Sequence, residues 1–243
     1  MRFEDKVVIV TGASSGIGEG VAKKFLAEGA YVVGCGIEPA MKIQDEKAIY
    51  VQADLTKPEQ ALHVVEEDVK TYGRVNKLVC CAGVTFIGSM DNTEYDTFMR
   101  EISINLGGVY NMCRSAIPEL KKQEGSTIVN IASDLGVRPI PERIGYCPSK
   151  AGVIMLTKCM ALEYAPSVRV NAILPGLVRT PMIEQRFQEA ADPKELEESY
   201  ASLYPLHKMG KIEDMTNAIA FLSSEESGFI TGEIMQVCGG SLI

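Results

Sequence analysis

The sequence predicts a single α/β domain, a parallel sheet flanked by helices, and three observations carry that expectation. Lys6-Val7-Val8-Ile9-Val10 is a short apolar, β-branched run, the mark of a strand buried on both faces. It leads into a glycine-rich turn and then into Ile17, Val21 and Phe25 at helical spacing, with Ala22 and Leu26 beside them. Similar strand-like runs alternate with helical stretches along all 243 residues, and neither a low-complexity linker nor an internal repeat interrupts them, so residues 1–243 read as one unit.

Composition narrows the function classes. A hydrophobic content of 46% supplies a core, and no apolar run reaches the ~18 residues of a membrane span, so no membrane partner is expected. A net charge of −8 with no Lys/Arg-rich run argues against nucleic acid. Met1-Arg2-Phe3-Glu4-Asp5-Lys6 runs straight into strand-like residues without a signal-peptide pattern, and the seven cysteines lack paired spacing. Both point to a cytoplasmic location. Two histidines, His63 and His207, with no CxxC or HExxH, leave little material for a metal site, and none is expected.

Two stretches carry chemistry. The first is Thr11-Gly12-Ala13-Ser14-Ser15-Gly16-Ile17-Gly18 between strand and helix, where glycines let backbone approach a pyrophosphate resting on the positive helix N-terminus. The second is Tyr146-Cys147-Pro148-Ser149-Lys150, with phenol and ammonium four residues apart on one helix face. Pro148 is tolerated in a first turn, so the helix is predicted to start near Gly145. A free tyrosine titrates near ~10. An ammonium ~4 Å away at an effective dielectric of ~20 favours phenolate by roughly 4 kcal/mol, about three pKa units. The phenol would then titrate near ~7, where proton transfer is efficient.

TGxxxGxG at Thr11–Gly18 and YxxxK at Tyr146–Lys150 together resemble the short-chain dehydrogenase/reductase family, over essentially the whole chain. The resemblance implies a doubly wound, Rossmann-type domain with seven parallel strands in the order 3-2-1-4-5-6-7. It implies hydride transfer between a nicotinamide cofactor and a secondary alcohol or ketone, with Tyr146 as acid or base. Lys150 would lower its pKa and hold the ribose. Gly12, Ser14, Ser15, Gly16, Ile17 and Gly18 would hold the cofactor phosphates, and the protein would be a homotetramer.

The other elements follow in order. Tyr31-Val32-Val33-Gly34-Cys35 is the second strand, whose end in such folds chooses between NAD and NADP through an acid on the ribose or an arginine on its phosphate. Gly36 stands at the acidic position and Ile37 where arginine is common, leaving Glu38 as the nearby charge. A carboxylate repels a 2′-phosphate, so NAD is expected rather than NADP. Ile49–Ala53 is the third strand. Asp54 and Leu55 would hold the adenine by resemblance, while an aspartate capping its own turn is the alternative. Lys57 to about Tyr72 is an amphipathic helix with His63 among its polar positions.

Lys77-Leu78-Val79-Cys80 is the fourth strand. Cys81, Ala82 and Gly83 follow where the family has Asn-Asn-Ala-Gly, so the two cysteines depart from the pattern as small apolar fillers beside the ribose. About Asn92 to Gln123 is predicted helical, with Asn105 amid Ile102, Val109, Met112, Ala116 and Leu120. By resemblance Asn105 joins a water relay to the lysine; a satisfied core amide is the alternative. Ser126–Ser133 is the fifth strand, and Ser133, thirteen residues before Tyr146, would polarise the substrate oxygen. The helix through Ala151, Ile154, Met155, Thr157, Ala161 and Leu162 is apolar on more than one face. Arg169–Leu174 is the sixth strand. Pro175, Gly176, Val178 and Thr180 would then face the nicotinamide carboxamide and the phosphate.

Residues 181 to about 204 read as a substrate lid, mixing Met182, Ile183, Phe187, Leu196, Tyr200, Leu203 and Tyr204 with acids. Glu213–Ser223 is the last helix and Gly232–Val237 the last strand, before Cys238 where the family often has aspartate. In the lid, Glu184, Glu189, Asp192, Glu195, Glu197 and Glu198 outnumber Arg186 and Lys194. The expected substrate is therefore a neutral ring-bearing secondary alcohol, of steroid or other cyclic type, rather than a sugar phosphate. Arg138 and Arg143 leave room for one carboxylate at the pocket mouth. Alternatives are a polyol or sugar dehydrogenase, an NADPH-dependent 3-oxoacyl ketoreductase, and a nucleotide-sensing binder without turnover.

Overall fold

The computed structural model describes residues 1–243, the side chain of Met182 excepted, so the expectation for that lid residue's contacts lies outside what is described. Seven strands form one all-parallel sheet in the order β3-β2-β1-β4-β5-β6-β7. They are β1 (Val7–Thr11), β2 (Tyr31–Gly36), β3 (Ala48–Gln52), β4 (Lys77–Cys80), β5 (Ser126–Ile131), β6 (Val168–Pro175) and β7 (Ile234–Val237). The β-branched runs at the centre are enclosed along their length, as strands covered on both faces must be.

Helices cover the two faces and make two apolar layers. On one face, α1 (Gly16–Ala27) and α8 (Ile212–Ser223) bury Val21, Phe25, Met215 and Ile219 against Val8, Val10 and Ile173. On the other, α2 (Pro58–Tyr72), α4 (Gly108–Leu120) and α5 (Tyr146–Tyr164) bury Val64, Met112, Leu120 and Val153 against Ile9, Leu78 and Ile128. No helix is long and apolar enough to cross a membrane.

Two expectations are refined. The stretch expected as one helix from about Asn92 to Gln123 starts later and is not uniform. It consists of α3 (Tyr95–Ile102), a π-helical turn over Ser103–Gly107, and α4, with Asn105 inside the wide turn. Such turns push a side chain out of helical register and recur at functional sites. The lid folds into α6 (Pro181–Glu189) and α7 (Pro193–Ser202), each opening on proline. Asp192 caps α7 by accepting the N–H groups of Lys194 and Glu195, both at 3.0 Å. Ile183, Phe187 and Met209 form a small apolar cluster under these helices, with Leu177, Leu196 and Tyr200 packed on it. Arg179 pairs with Glu184 and Glu197, and the Tyr204 hydroxyl accepts the Leu177 N–H at 2.7 Å.

Candidate active site

A cleft of about 800 Å³ opens at the carboxyl ends of the strands, where ligands of parallel sheets gather. Every expected cofactor residue lines it: Gly12, Ser14, Ser15, Gly16, Ile17, Gly18, Gly36, Ile37, Glu38, Asp54, Leu55, Cys81, Ala82, Gly83, Pro175, Gly176, Val178 and Thr180, with Tyr146 and Lys150. Gly12 and Gly16 hold left-handed φ of 68° and 57°, which other residues resist. A Cβ on Gly12 would stand 3.0 Å from the Ala82 Cα, and one on Gly18 would collide with the Gly12 carbonyl. The floor is thus bare backbone at the N-terminus of α1, shaped for a pyrophosphate.

The catalytic candidates sit at the deep side. Ser133, just past β5, lines the cleft together with Tyr146; its hydroxyl donates to Asp134 Oδ1 at 3.2 Å and accepts the Leu135 N–H at 3.2 Å. Lys150, one turn on from Tyr146, donates to the Ile131 carbonyl at 2.8 Å. Its amine lies 5.8 Å from the centre of the Tyr146 ring. α5 begins after Gly145, as the position of Pro148 predicted.

The electrostatics correct one expectation. Burial pushes the Tyr146 phenol up to about 12, with the neighbouring Ser133 hydroxyl opposing it, while burial pushes the Lys150 amine down to about 8. The sequence argument put the phenol near ~7 by assuming a lysine charge at its oxygen in a well-solvated medium. Here the amine lies over the ring, bonded to backbone, and the lysine is buried and the tyrosine partly so; desolvation wins.

Asn105 is wholly buried and lies behind the cleft wall rather than on it. Its amide oxygen accepts the Val84 N–H at 2.8 Å, and its nitrogen donates to the Val84 carbonyl at 2.9 Å and to the Ser149 hydroxyl at 3.0 Å. No direct Asn105–Lys150 bond occurs among the described residues. Gly83 stands between them: a Cβ there would lie 3.1 Å from the asparagine oxygen and 3.4 Å from the lysine nitrogen. Asp54 accepts from the Thr56 N–H at 3.0 Å and hydroxyl at 2.7 Å, so it caps its turn while lining the cleft.

Sequence reasoning missed several residues. The Thr11 hydroxyl accepts the Ala82 N–H at 3.0 Å, tying the glycine loop to the β4 loop. Asn111 donates to the Leu55 carbonyl at 2.9 Å. Tyr50 reaches across from β3, so that its hydroxyl and Glu38 Oε2 each lie 3.0 Å from the place of an absent Gly36 Cβ. Gly34 beside it, with no side chain to block the ring, was the available signal. Arg100 also lines the cleft, while Arg138 and Arg143 do not.

Comparison with known proteins agrees with this geometry. The family described as Enoyl-(Acyl carrier protein) reductase matches residues 12–241. A 3-oxoacyl-acyl-carrier-protein reductase of Thermotoga maritima is 35% identical, over 100% of both chains. A 3beta-hydroxysteroid dehydrogenase of Eggerthella lenta is 36% identical, over 98% of this chain and 94% of its own. Among solved structures, the ligand-free aldohexose dehydrogenase of Thermoplasma acidophilum superposes with a TM-score of 0.92 at 34% identity, covering 98% of this chain and 94% of that one.

Proposed function

This chain belongs to the short-chain dehydrogenase/reductase family of oxidoreductases, and we propose that it moves a hydride between NAD(H) and a neutral, ring-bearing secondary alcohol or its ketone. The observation that carries the reading is the meeting of Ser133, Tyr146 and Lys150 at the deep end of a cleft floored by the glycine loop.

When bound, the nicotinamide supplies the hydride chemistry. The chain's residues do the rest. The Ser133 hydroxyl orients the substrate oxygen, Tyr146 takes its proton during oxidation or returns one during reduction, and Lys150 holds the ribose. Asn105, through water, joins the lysine to the proton path.

NAD is favoured over NADP by Glu38. Its carboxylate folds back over Gly36, into the space that an acidic side chain on β2 would fill, and repels a 2′-phosphate. For the substrate, the support is the apolar lid cluster beneath acidic helices, together with the hydroxysteroid relative. The aldohexose and 3-oxoacyl relatives favour two other substrates, and the net charge of −8 disfavours docking of an acidic carrier protein. A homotetramer is part of the reading, because α4 and α5 leave Tyr110, Met155 and Leu162 exposed.

Spectrophotometric kcat/KM values with NAD⁺ and NADP⁺ for a hydroxysteroid, a cyclic alcohol, a polyol, an aldohexose and a sugar phosphate test it. The hydroxysteroid or cyclic alcohol with NAD⁺ should lead; a leading sugar phosphate, or a leading NADP⁺, would overturn the corresponding half.

A further inference from the structure

Glu101 is a buried carboxylate beside the reaction centre that the catalytic set leaves unused. It sits in the last turn of α3, only 2% exposed, where three segments meet. Its Oε1 accepts the Phe86 N–H at 2.9 Å. Its Oε2 packs against Gly145, the residue that opens α5 just before Tyr146, so closely that a Cβ there would force the carboxylate to move. The loop carrying Phe86 is also pinned by backbone to the segment before α5. Gly88 N–H donates to Glu142 at 3.1 Å, and Ile144 N–H donates to Gly88 at 3.3 Å. The carboxylate thus adds a second side-chain tie to the loop beyond Gly83, where Asn105 already joins Val84 to Ser149 of α5, and it packs against the residue that opens the catalytic helix.

Its charge faces the same centre. Burial pushes the Glu101 carboxyl up, while the Phe86 N–H, Arg143 and Lys150 pull it back toward the ionised form. Around Tyr146 the charged and titratable neighbours are Asp134, Cys147 and Glu101; around Lys150 they are Cys81, Cys80 and Glu101. Glu101 is the carboxylate common to both, acting beside the larger effect of burial.

We propose that Glu101 is a positioning residue of the reaction. Its carboxylate holds the Phe86 loop against Gly145 at the start of α5, and its negative charge shifts the pH range in which Tyr146 and Lys150 work together. The proposal rests on the dehydrogenase reading above.

The test is Glu101→Gln, which keeps the size and the acceptor for Phe86 N–H but removes the charge, beside Glu101→Leu, which removes both. Loss of a negative charge lowers the pKa of phenol and amine alike. For Glu101→Gln both limbs of the pH–rate profile should therefore move to lower pH by about half a unit. The same shift should appear in the tyrosinate absorbance with NAD⁺ bound, taken as parent minus Tyr146→Phe. Glu101→Leu should show that shift and a further ~10-fold loss of kcat with the KM for NAD⁺ unmoved, because the loop no longer fixes the helix start. Thermal melting checks folding, and if Glu101→Leu does not fold, Glu101→Gln decides alone. A Glu101→Gln titration that superimposes on the parent's overturns the proposal. Because the tyrosinate signal needs no turnover, an inactive parent would count against the dehydrogenase reading and leave this test intact.

Discussion

Lys150 is buried and Tyr146 partly so, and desolvation favours the neutral form of each: the phenol rises to about 12 and the amine falls to about 8. A phenol held protonated carries the proton that ketone reduction needs, yet its raised pKa makes it a weak acid, and it is a reluctant base for alcohol oxidation until its surroundings become more positive. Replacing Tyr146 with phenylalanine should lower kcat by ~10²–10⁴ while NAD⁺ affinity, followed by calorimetry, stays within a factor of about two. Lys150→Ala should lose both, since its amine anchors to Ile131 inside the cleft. A Tyr146→Phe protein keeping more than a tenth of the activity would contradict the assignment. At the other end of the cleft, Ile37→Arg with Glu38→Arg should turn the NAD preference toward NADP, each tenfold step requiring only ~1.4 kcal/mol. Unchanged kcat/KM ratios for the two cofactors would contradict the role given to Glu38.

Elements that read clearly from sequence are those whose signal is local. The strand, glycine loop and helix at Val7–Ala27 are written in neighbouring residues, and so is the start of α5, where Pro148 admits only a first turn. What was not legible depends on packing between distant segments. The π-helical turn holds Asn105, whose side chain bonds to the distant Val84 and Ser149, and the phenol–amine balance arises from burial by elements far along the chain. Tyr50, Asn111 and Glu101 escaped for the same reason, being ordinary residues on their own elements that meet the site only after folding.

Asp68 is another such residue. On α2 against α4, it is wholly buried, and neither carboxylate oxygen has a hydrogen-bond partner among the described residues. Burial, reinforced by Glu119, pushes it up to about 8. The folded state therefore holds a proton that the unfolded chain releases near its ordinary ~4, and stability falls as pH rises from there to about 8, by at most ~1.4 kcal/mol per unit. Asp68→Asn should raise the Tm by several degrees at pH ~8 and by clearly less at pH ~5, as measured by calorimetry. A Tm gain independent of pH would show that Asp68 is not protonated in the fold.

For the whole molecule, the open faces of α4 and α5 set the expected assembly. Met155 is 57% and Leu162 87% exposed on a helix whose other face packs in the core, and Phe229, before β7, is fully exposed. Light scattering at micromolar concentration should give the mass of a tetramer, and a monomer's 26.4 kDa would refute the assembly. Acidic charge over the molecule and its lid favours neutral substrates in the same way that it disfavours nucleic acid.

The central claim, that this cleft transfers hydride and does not merely bind nucleotide, is tested most directly with NADH deuterated at the nicotinamide C4. After incubation with the ketone of the best substrate, the product alcohol should carry deuterium on its carbinol carbon, and Tyr146→Phe should abolish that label while still binding NADH. A protein that binds NADH tightly yet leaves every ketone of the panel unlabelled would be a nucleotide-sensing binder, and the account would be contradicted.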